Sequence, residues 1–222
     1  MAAMSTLVLT GPSRPPAAGG PPRQLVVLLH GLGTDGEDLI GLAPYWAQAL
    51  PHAEFVAPNA PYPCDMAPFG HQWFSLLDPT PGPMLAGVRA VAPIVDGFLD
   101  ATLAERGLDD SSLALVGFSQ GTMTALHVVP RRPRPCAGLV GFSGALLGGD
   151  LLERETVSRP EMLLIHGAAD EIVPVAALPA AESALRANGF TVTTAIRPGV
   201  GHGIDPEGLA LGGRFLAERF AG

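Results

Sequence analysis

The sequence predicts an α/β fold, a mostly parallel central sheet with helices on both faces, and three observations predict it. Runs of branched apolar residues at Gln24–Leu29, Leu113–Val116, Gly138–Phe142 and Met162–His166 read as buried strands. Stretches of helical spacing alternate with them, the order that lays parallel strands side by side beneath crossover helices. Finally, Gly117-Phe118-Ser119-Gln120-Gly121 places Gly-x-Ser-x-Gly between one such strand and a helix, as in a sharp strand-to-helix turn.

In chain order, Thr6–Leu9 is expected as a short edge strand and the Pro/Gly-rich residues 11–22 as an exposed loop. Gln24–Leu29 then delivers His30-Gly31-Leu32-Gly33-Thr34-Asp35-Gly36-Glu37. Thr34 and Glu37 have capping-box spacing, and Leu39, Leu42, Ala43, Trp46, Ala47 and Leu50 recur at helical intervals, with Pro44 as a kink. Glu54–Ala57 reads as a strand. Pro58–Pro83 is proline-rich and aperiodic but apolar, and is expected to form the rim of an active site. Met84–Arg106 is helical, split or bent at Pro93. The helix Thr122–Val129 is stopped by Pro130, and Val175–Asn188, Phe190–Ile196 and Glu207–Phe220 follow as helix, strand and final helix. One domain over residues 1–222 is expected.

Composition excludes several function classes. Hydrophobic residues make up 47% of the 222 and the mean hydropathy is +0.31, which suits a folded chain with a large core. A net charge of −8 disfavours nucleic acid and anionic membranes as partners; Arg131-Arg132-Pro133-Arg134 is a local exception that reads as a solvated loop. All 13 basic residues are arginine, so lysine-dependent phosphate loops, Schiff-base chemistry and pyridoxal sites drop out. The two cysteines, Cys64 and Cys136, suggest neither a disulfide framework nor a zinc site. No apolar run is long enough to span a membrane, and Met1–Gly20 lacks the pattern of a secretory signal, so a cytoplasmic location without stable membrane association is expected. The Ala/Gly/Pro/Arg bias suggests a bacterial source.

The central motif carries the chemistry. A sharp turn holds its serine in a strained backbone, and only glycine fits two residues before and two after it. A serine hydroxyl needs a histidine to take its proton, and that histidine needs a carboxylate to set its tautomer. In the fold that carries this turn the order is serine, acid, histidine. Downstream of Ser119, His127 lies inside the next helix and His166 ends a buried strand. His202, in a glycine-rich loop after a strand, is the expected base. Asp170, just past a strand end, is the expected acid; Glu171 beside it and Asp205, which follows His202, are the competitors. The oxyanion needs two backbone donors, assigned to Leu32 and Gln120 N–H, which leaves the Leu32 side chain free to line an acyl pocket.

Two stretches compete with this reading. Ser143 in Gly141-Phe142-Ser143-Gly144-Ala145 imitates the turn but lacks the second glycine, and reads as a strand end. Gly31-Leu32-Gly33-Thr34-Asp35-Gly36 matches the dinucleotide fingerprint, yet the next strand ends in Pro58-Asn59 without the acidic residue that the fingerprint requires.

These residues resemble the phospholipase/carboxylesterase family of α/β-hydrolases over nearly the whole chain. The match rests on Leu29-His30-Gly31-Leu32-Gly33, Pro58-Asn59-Ala60-Pro61, Trp73-Phe74, Gly117–Gly121, His166-Gly167 with Asp170 and Val173-Pro174, and Gly201-His202. The resemblance implies Ser119, Asp170 and His202 as a triad and the Leu32 and Gln120 amides as oxyanion hole. It also implies a largely lidless, shallow apolar pocket touched by Leu32, Trp73, Phe74 and Val173. Departures are Thr122 where glycine is common, expected to narrow the cleft, Cys64 in the rim, and Ser75 where aspartate is frequent. The expected protein is a serine esterase for short- to medium-chain acyl esters, with a small-molecule ester as partner and no metal or organic cofactor. Thioesterase and lysophospholipase activities use the same triad and stay open, as does a silent binding module; monomer and homodimer are not distinguished.

Overall fold

The computed structural model describes residues 8–221. Its strands are β1 (Ser13–Arg14), β2 (Gln24–Leu29), β3 (Ala53–Val56), β4 (Tyr62–Pro63), β5 (His71–Gln72), β6 (Leu113–Phe118), β7 (Gly138–Phe142), β8 (Met162–Gly167) and β9 (Val192–Arg197). Its helices are α1 (Gly36–Leu39), α2 (Ala43–Trp46), α3 (Pro81–Arg106), α4 (Gln120–Val128), α5 (Leu152–Glu155), α6 (Ala177–Ala187) and α7 (Pro206–Ala221). Seven strands form one sheet in the order β1-β3-β2-β6-β7-β8-β9, parallel except for β1; β4 and β5 make a separate small hairpin.

The period-two alternation of β2 divides the core. Leu25, Val27 and Leu29 pack with Val88 and Val95 of α3, Ala125 of α4 and Leu178 of α6. Val26 and Leu28 pack on the other face with Leu39, Trp46 and Leu216 of α1, α2 and α7. Parallel strands bring the ends of β2, β6, β8 and β9 to one edge, where the loops carrying Leu32, Ser119, Asp170 and His202 emerge.

Several elements differ from expectation. The expected edge strand Thr6–Leu9 falls partly outside the described residues, and β1 occupies that edge instead. After β2 the helix is broken into α1, a 3-10 turn at Ile40–Leu42, and α2. Its cap is Asp35, not Thr34: Asp35 Oδ1 accepts from Glu37 N at 3.0 Å and Asp38 N at 3.3 Å. Pro44 sits in the first turn of α2, where a missing N–H has no helical partner to lose. The aperiodic rim ends earlier than expected, because Pro81 and Pro83 begin α3, and α3 runs unbroken through Pro93. Pro130 lies in a 3-10 turn, Val129–Arg131, that extends α4.

The arginine cluster is also not simply a solvated loop. Arg132 is only 2% exposed; its guanidinium donates to Asp110 at 2.6 Å, to Asp100 at 2.8 Å and to Asp96. Burial alone would push the Asp110 carboxyl up, but the hydrogen bonds from Arg132 and Arg134 outweigh it and hold it below the ordinary carboxylate range. Removing one partner of a buried pair leaves an uncompensated charge. Arg132→Ala is therefore expected to lose about 3–5 kcal/mol in urea unfolding. Arg134→Ala, whose side chain is 72% exposed, should lose less than about 1 kcal/mol; equal losses would contradict the buried-pair account.

Candidate active site

Ser119 sits between β6 and α4 at φ 53° and ψ −115°, a positive-φ conformation costly for a residue with a Cβ. The flanking glycines are sterically required. A Cβ on Gly117 would stand 2.5 Å from Thr122 Cα, and one on Gly121 would stand 1.8 Å from Leu29 O. Ser119 N–H donates to Phe142 O at 2.9 Å, tying the turn to β7. Thr122 does not narrow the cleft as expected. Its Oγ1 donates to Phe142 O at 2.8 Å and its side chain fills the space left by Gly141 and Gly144, away from the cleft.

The loop after β2 lies against this turn, since a Cβ on Gly31 would come within 3.5 Å of Ser119 Cβ. His30 holds the loop from within the core. Its Nε2 accepts from Ala60 N–H at 2.9 Å, so Nδ1 carries the proton and donates to Gly31 O at 2.7 Å. Burial pushes its pKa down and keeps the ring neutral. Gly33 N–H donates to His71 O and Gly36 N–H to Asn59 Oδ1. The glycine-rich loop thus spends on the protein the amides that a dinucleotide phosphate would need. Among the described residues, Leu32 N–H and Gln120 N–H have no intramolecular acceptor.

Trp73 and Phe74, expected on the pocket wall, lie in the core instead. The reason is the fully buried Gln120 side chain. Its Oε1 accepts from Trp73 N–H at 2.9 Å, and its Nε2 donates to Phe74 O at 2.7 Å. Trp73 Nε1 in turn donates to His30 O at 2.8 Å. These bonds fix the aromatic pair behind the site, where it braces both the loop of Leu32 and the start of α4. This Gln120 role is invisible in the motif, which leaves that position free.

Asp170 and His202 meet directly, with His202 Nδ1 2.8 Å from Asp170 Oδ2. Asp170 Oδ1 accepts from Ile172 N and Val173 N, both at 2.9 Å. Burial would raise the Asp170 pKa, yet the hydrogen bonds from His202, Val173 and Ile172 outweigh it and hold the carboxyl below its ordinary range. The close approach depends on Gly167, where a Cβ would stand 2.2 Å from Gly201 O. His166 joins this cluster, which the sequence reading missed: its buried Nε2 lies 2.8 Å from Val173 O and 3.3 Å from Asp170 Oδ2. The competing acids lie elsewhere. Glu171 is exposed, and Asp205 binds Arg197 and accepts from Gly208 N at the start of α7.

Ser119 and His202 line one cleft of about 610 Å³. Leu32 and Val173 line it, with Leu76, Met84, Met123 and Ala177. No hydrogen bond among the described residues joins Ser119 Oγ to His202; such bonds are often long without substrate and tighten on binding. The Phe118 ring, 5.0 Å from the His202 ring between centroids, backs the imidazole. Ser143 also has a positive φ, 47°, but it is buried, its Oγ has no partner, and it does not line the cleft. Among the described residues no group of three or more His, Cys, Asp or Glu side chains is placed to hold a metal ion.

Comparison with known proteins converges on one group. A family model described as Phospholipase/Carboxylesterase matches residues 16–218. Esterase YpfH of Escherichia coli is 29% identical over 185 residues, covering 83% of this chain and 78% of that protein. Acyl-protein thioesterase 1 of Saccharomyces cerevisiae is 29% identical over 174 residues, covering 70% and 74%. The crystal structure of esterase PE8 superposes with a TM-score of 0.91 at 41% identity, covering 95% of this chain and 99% of that one.

Proposed function

The chain belongs to the phospholipase/carboxylesterase family of α/β-hydrolases and is a serine hydrolase of carboxylesterase type, and we propose that it cleaves short- to medium-chain acyl esters through Ser119, His202 and Asp170. The observation that carries the assignment is the 2.8 Å contact from His202 Nδ1 to Asp170 Oδ2 at the edge of the cleft that Ser119 also lines. In this reading Asp170 keeps the proton on Nδ1, so Nε2 is free to accept from Ser119 Oγ. The serine oxygen bonds to the acyl carbonyl carbon, and the oxyanion is held by the otherwise unpartnered Leu32 and Gln120 N–H groups. The imidazolium returns the proton to the departing alcohol. Water, deprotonated by His202, then releases the acid and restores Ser119.

The cleft supports the short- to medium-chain reading. Its walls at Leu76, Met84, Met123 and Ala177 are apolar, and no lid domain among the described residues extends it for a long chain. The similarity to an acyl-protein thioesterase makes a thioester the second reading, since the same residues serve both. A cytoplasmic location is supported by two buried, unpaired cysteines, as in a reducing compartment; among the described residues no helix is long and apolar enough to cross a membrane.

The test is hydrolysis of p-nitrophenyl acetate, butyrate, octanoate and palmitate. We expect kcat/KM to peak at butyrate or octanoate and to fall at least about tenfold at palmitate, the scale of several lost methylene contacts. A preference for palmitate would overturn the chain-length assignment. Turnover of none of the four by folded protein would favour the thioester reading.

A further inference from the structure

From the charges around the cleft we infer that the enzyme selects esters whose alcohol part is uncharged or cationic, and discriminates against substrates carrying a phosphate or carboxylate near the ester. The inference rests on the serine-esterase reading of the same cleft.

The wall contains no charged side chain among the described residues. Its polar groups are Thr34, Ser119, Gln120 and His202, all at the end where the chemistry is placed; the rest is apolar. An anion entering such a cleft loses hydration and finds no cation to replace it. The sequence has 13 basic side chains, all arginine and all among the described residues. None lines the cleft. Arg197, five residues before His202, is held by Asp205 at 3.1 Å and by Glu207. Arg89, five residues beyond Met84 on α3, is held by Glu155.

The charged residues that adjoin the cleft lining in the chain have the opposite sign. Asp35 directly follows Thr34, Asp78 lies between Leu76 and Pro79, and Glu171 directly precedes Ile172, so each carboxylate adjoins a cleft-lining residue. Asp78 and Glu171 are exposed, and Asp78 is held below the ordinary carboxylate range by Thr80 Oγ1 and N–H, so it stays ionised at neutral pH. None of the three is paired with an arginine among the described residues. Repulsion from these carboxylates acts over roughly a Debye length, about 8 Å at physiological ionic strength, and grows as salt is removed. Phosphate-bearing acyl substrates, lysophospholipids among them, meet this repulsion and find no compensating cation.

The decisive comparison is 3-carboxy-4-nitrophenyl butyrate against its own methyl ester, two substrates with the same acyl group and nearly the same shape. At about 10 mM ionic strength the methyl ester should have the higher kcat/KM by about tenfold or more, and the gap should shrink to a few-fold at about 0.5 M. Replacing both Asp78→Asn and Glu171→Gln should narrow the low-salt ratio. Equal rates for the two esters at low salt, or a ratio unmoved by salt and by the double substitution, would overturn the inference while leaving the serine-esterase reading intact. If folded protein hydrolyses neither the methyl ester nor p-nitrophenyl butyrate, the esterase reading fails and the inference falls with it.

Discussion

Ser119→Ala is expected to lower kcat on p-nitrophenyl butyrate by about 10⁵-fold or more while the protein stays folded. Among the described residues, the substitution removes the one hydroxyl placed both on the strained turn after β6 and in the cleft with His202. What remains is the capacity of the Leu32 and Gln120 amides to polarise a bound carbonyl, which is worth far less than covalent catalysis. Ser143→Ala is the matched control, because Ser143 shares the positive φ but lies buried off the cleft. Its activity should stay within about threefold of wild type, the range of substitutions away from reacting groups. Activity surviving Ser119→Ala and lost in Ser143→Ala would reverse the assignment.

Asp170→Asn is expected to cost about 10³–10⁴-fold in kcat with little change in fold. An asparagine can turn its NH₂ toward His202 Nδ1, which forces the proton onto Nε2 and leaves nothing there to accept from Ser119. The carboxylate is well suited to prevent this. Although buried, it accepts from His202 and from the Ile172 and Val173 amides, and it stays below its ordinary pKa. A carboxyl depressed in this way stabilises the fold above its unfolded pKa and loses that contribution as pH falls through the folded value. Thermal stability of the wild type should therefore decline below about pH 4, and part of that decline should vanish in Asp170→Asn. Glu171→Gln, altering the exposed neighbour, should stay within about threefold on a neutral ester. A large loss there and none in Asp170→Asn would move the acid to Glu171.

The parts of this molecule that depend on local pattern were legible in the sequence. Branched apolar runs marked β2, β6, β7 and β8, and Gly117 and Gly121 marked the turn, because each answers to its own neighbours. Asp170 and His202 could be picked out by their positions after strands, and the structure brings them to 2.8 Å. What escaped depends on distant partners. Trp73 and Phe74 look like pocket aromatics until the Gln120 side chain, 47 and 46 residues away, is seen holding their backbone. Thr122 looks like an obstruction until Gly141 and Gly144 are seen making room for it. Arg132 looks solvated because its carboxylates come from α3 and the turn before β6. His166 reads as a packed strand end, and only the fold sets its Nε2 3.3 Å from Asp170. The cap moved by one residue because both Thr34 and Asp35 can cap a helix, and the start of α1 at Gly36 decided between them.

The measurement that tests the central claim most directly is capture of the acyl-enzyme. Wild-type protein would be mixed with p-nitrophenyl butyrate, quenched in acid during turnover, digested and read by mass spectrometry. The account predicts one butyryl group on the peptide containing Ser119, and none in Ser119→Ala treated identically. It also predicts accumulation of the adduct in His202→Ala if acylation still proceeds, since deacylation needs the same base. A butyryl group on another residue that forms and decays at the turnover rate, with Ser119 unmodified, would contradict it.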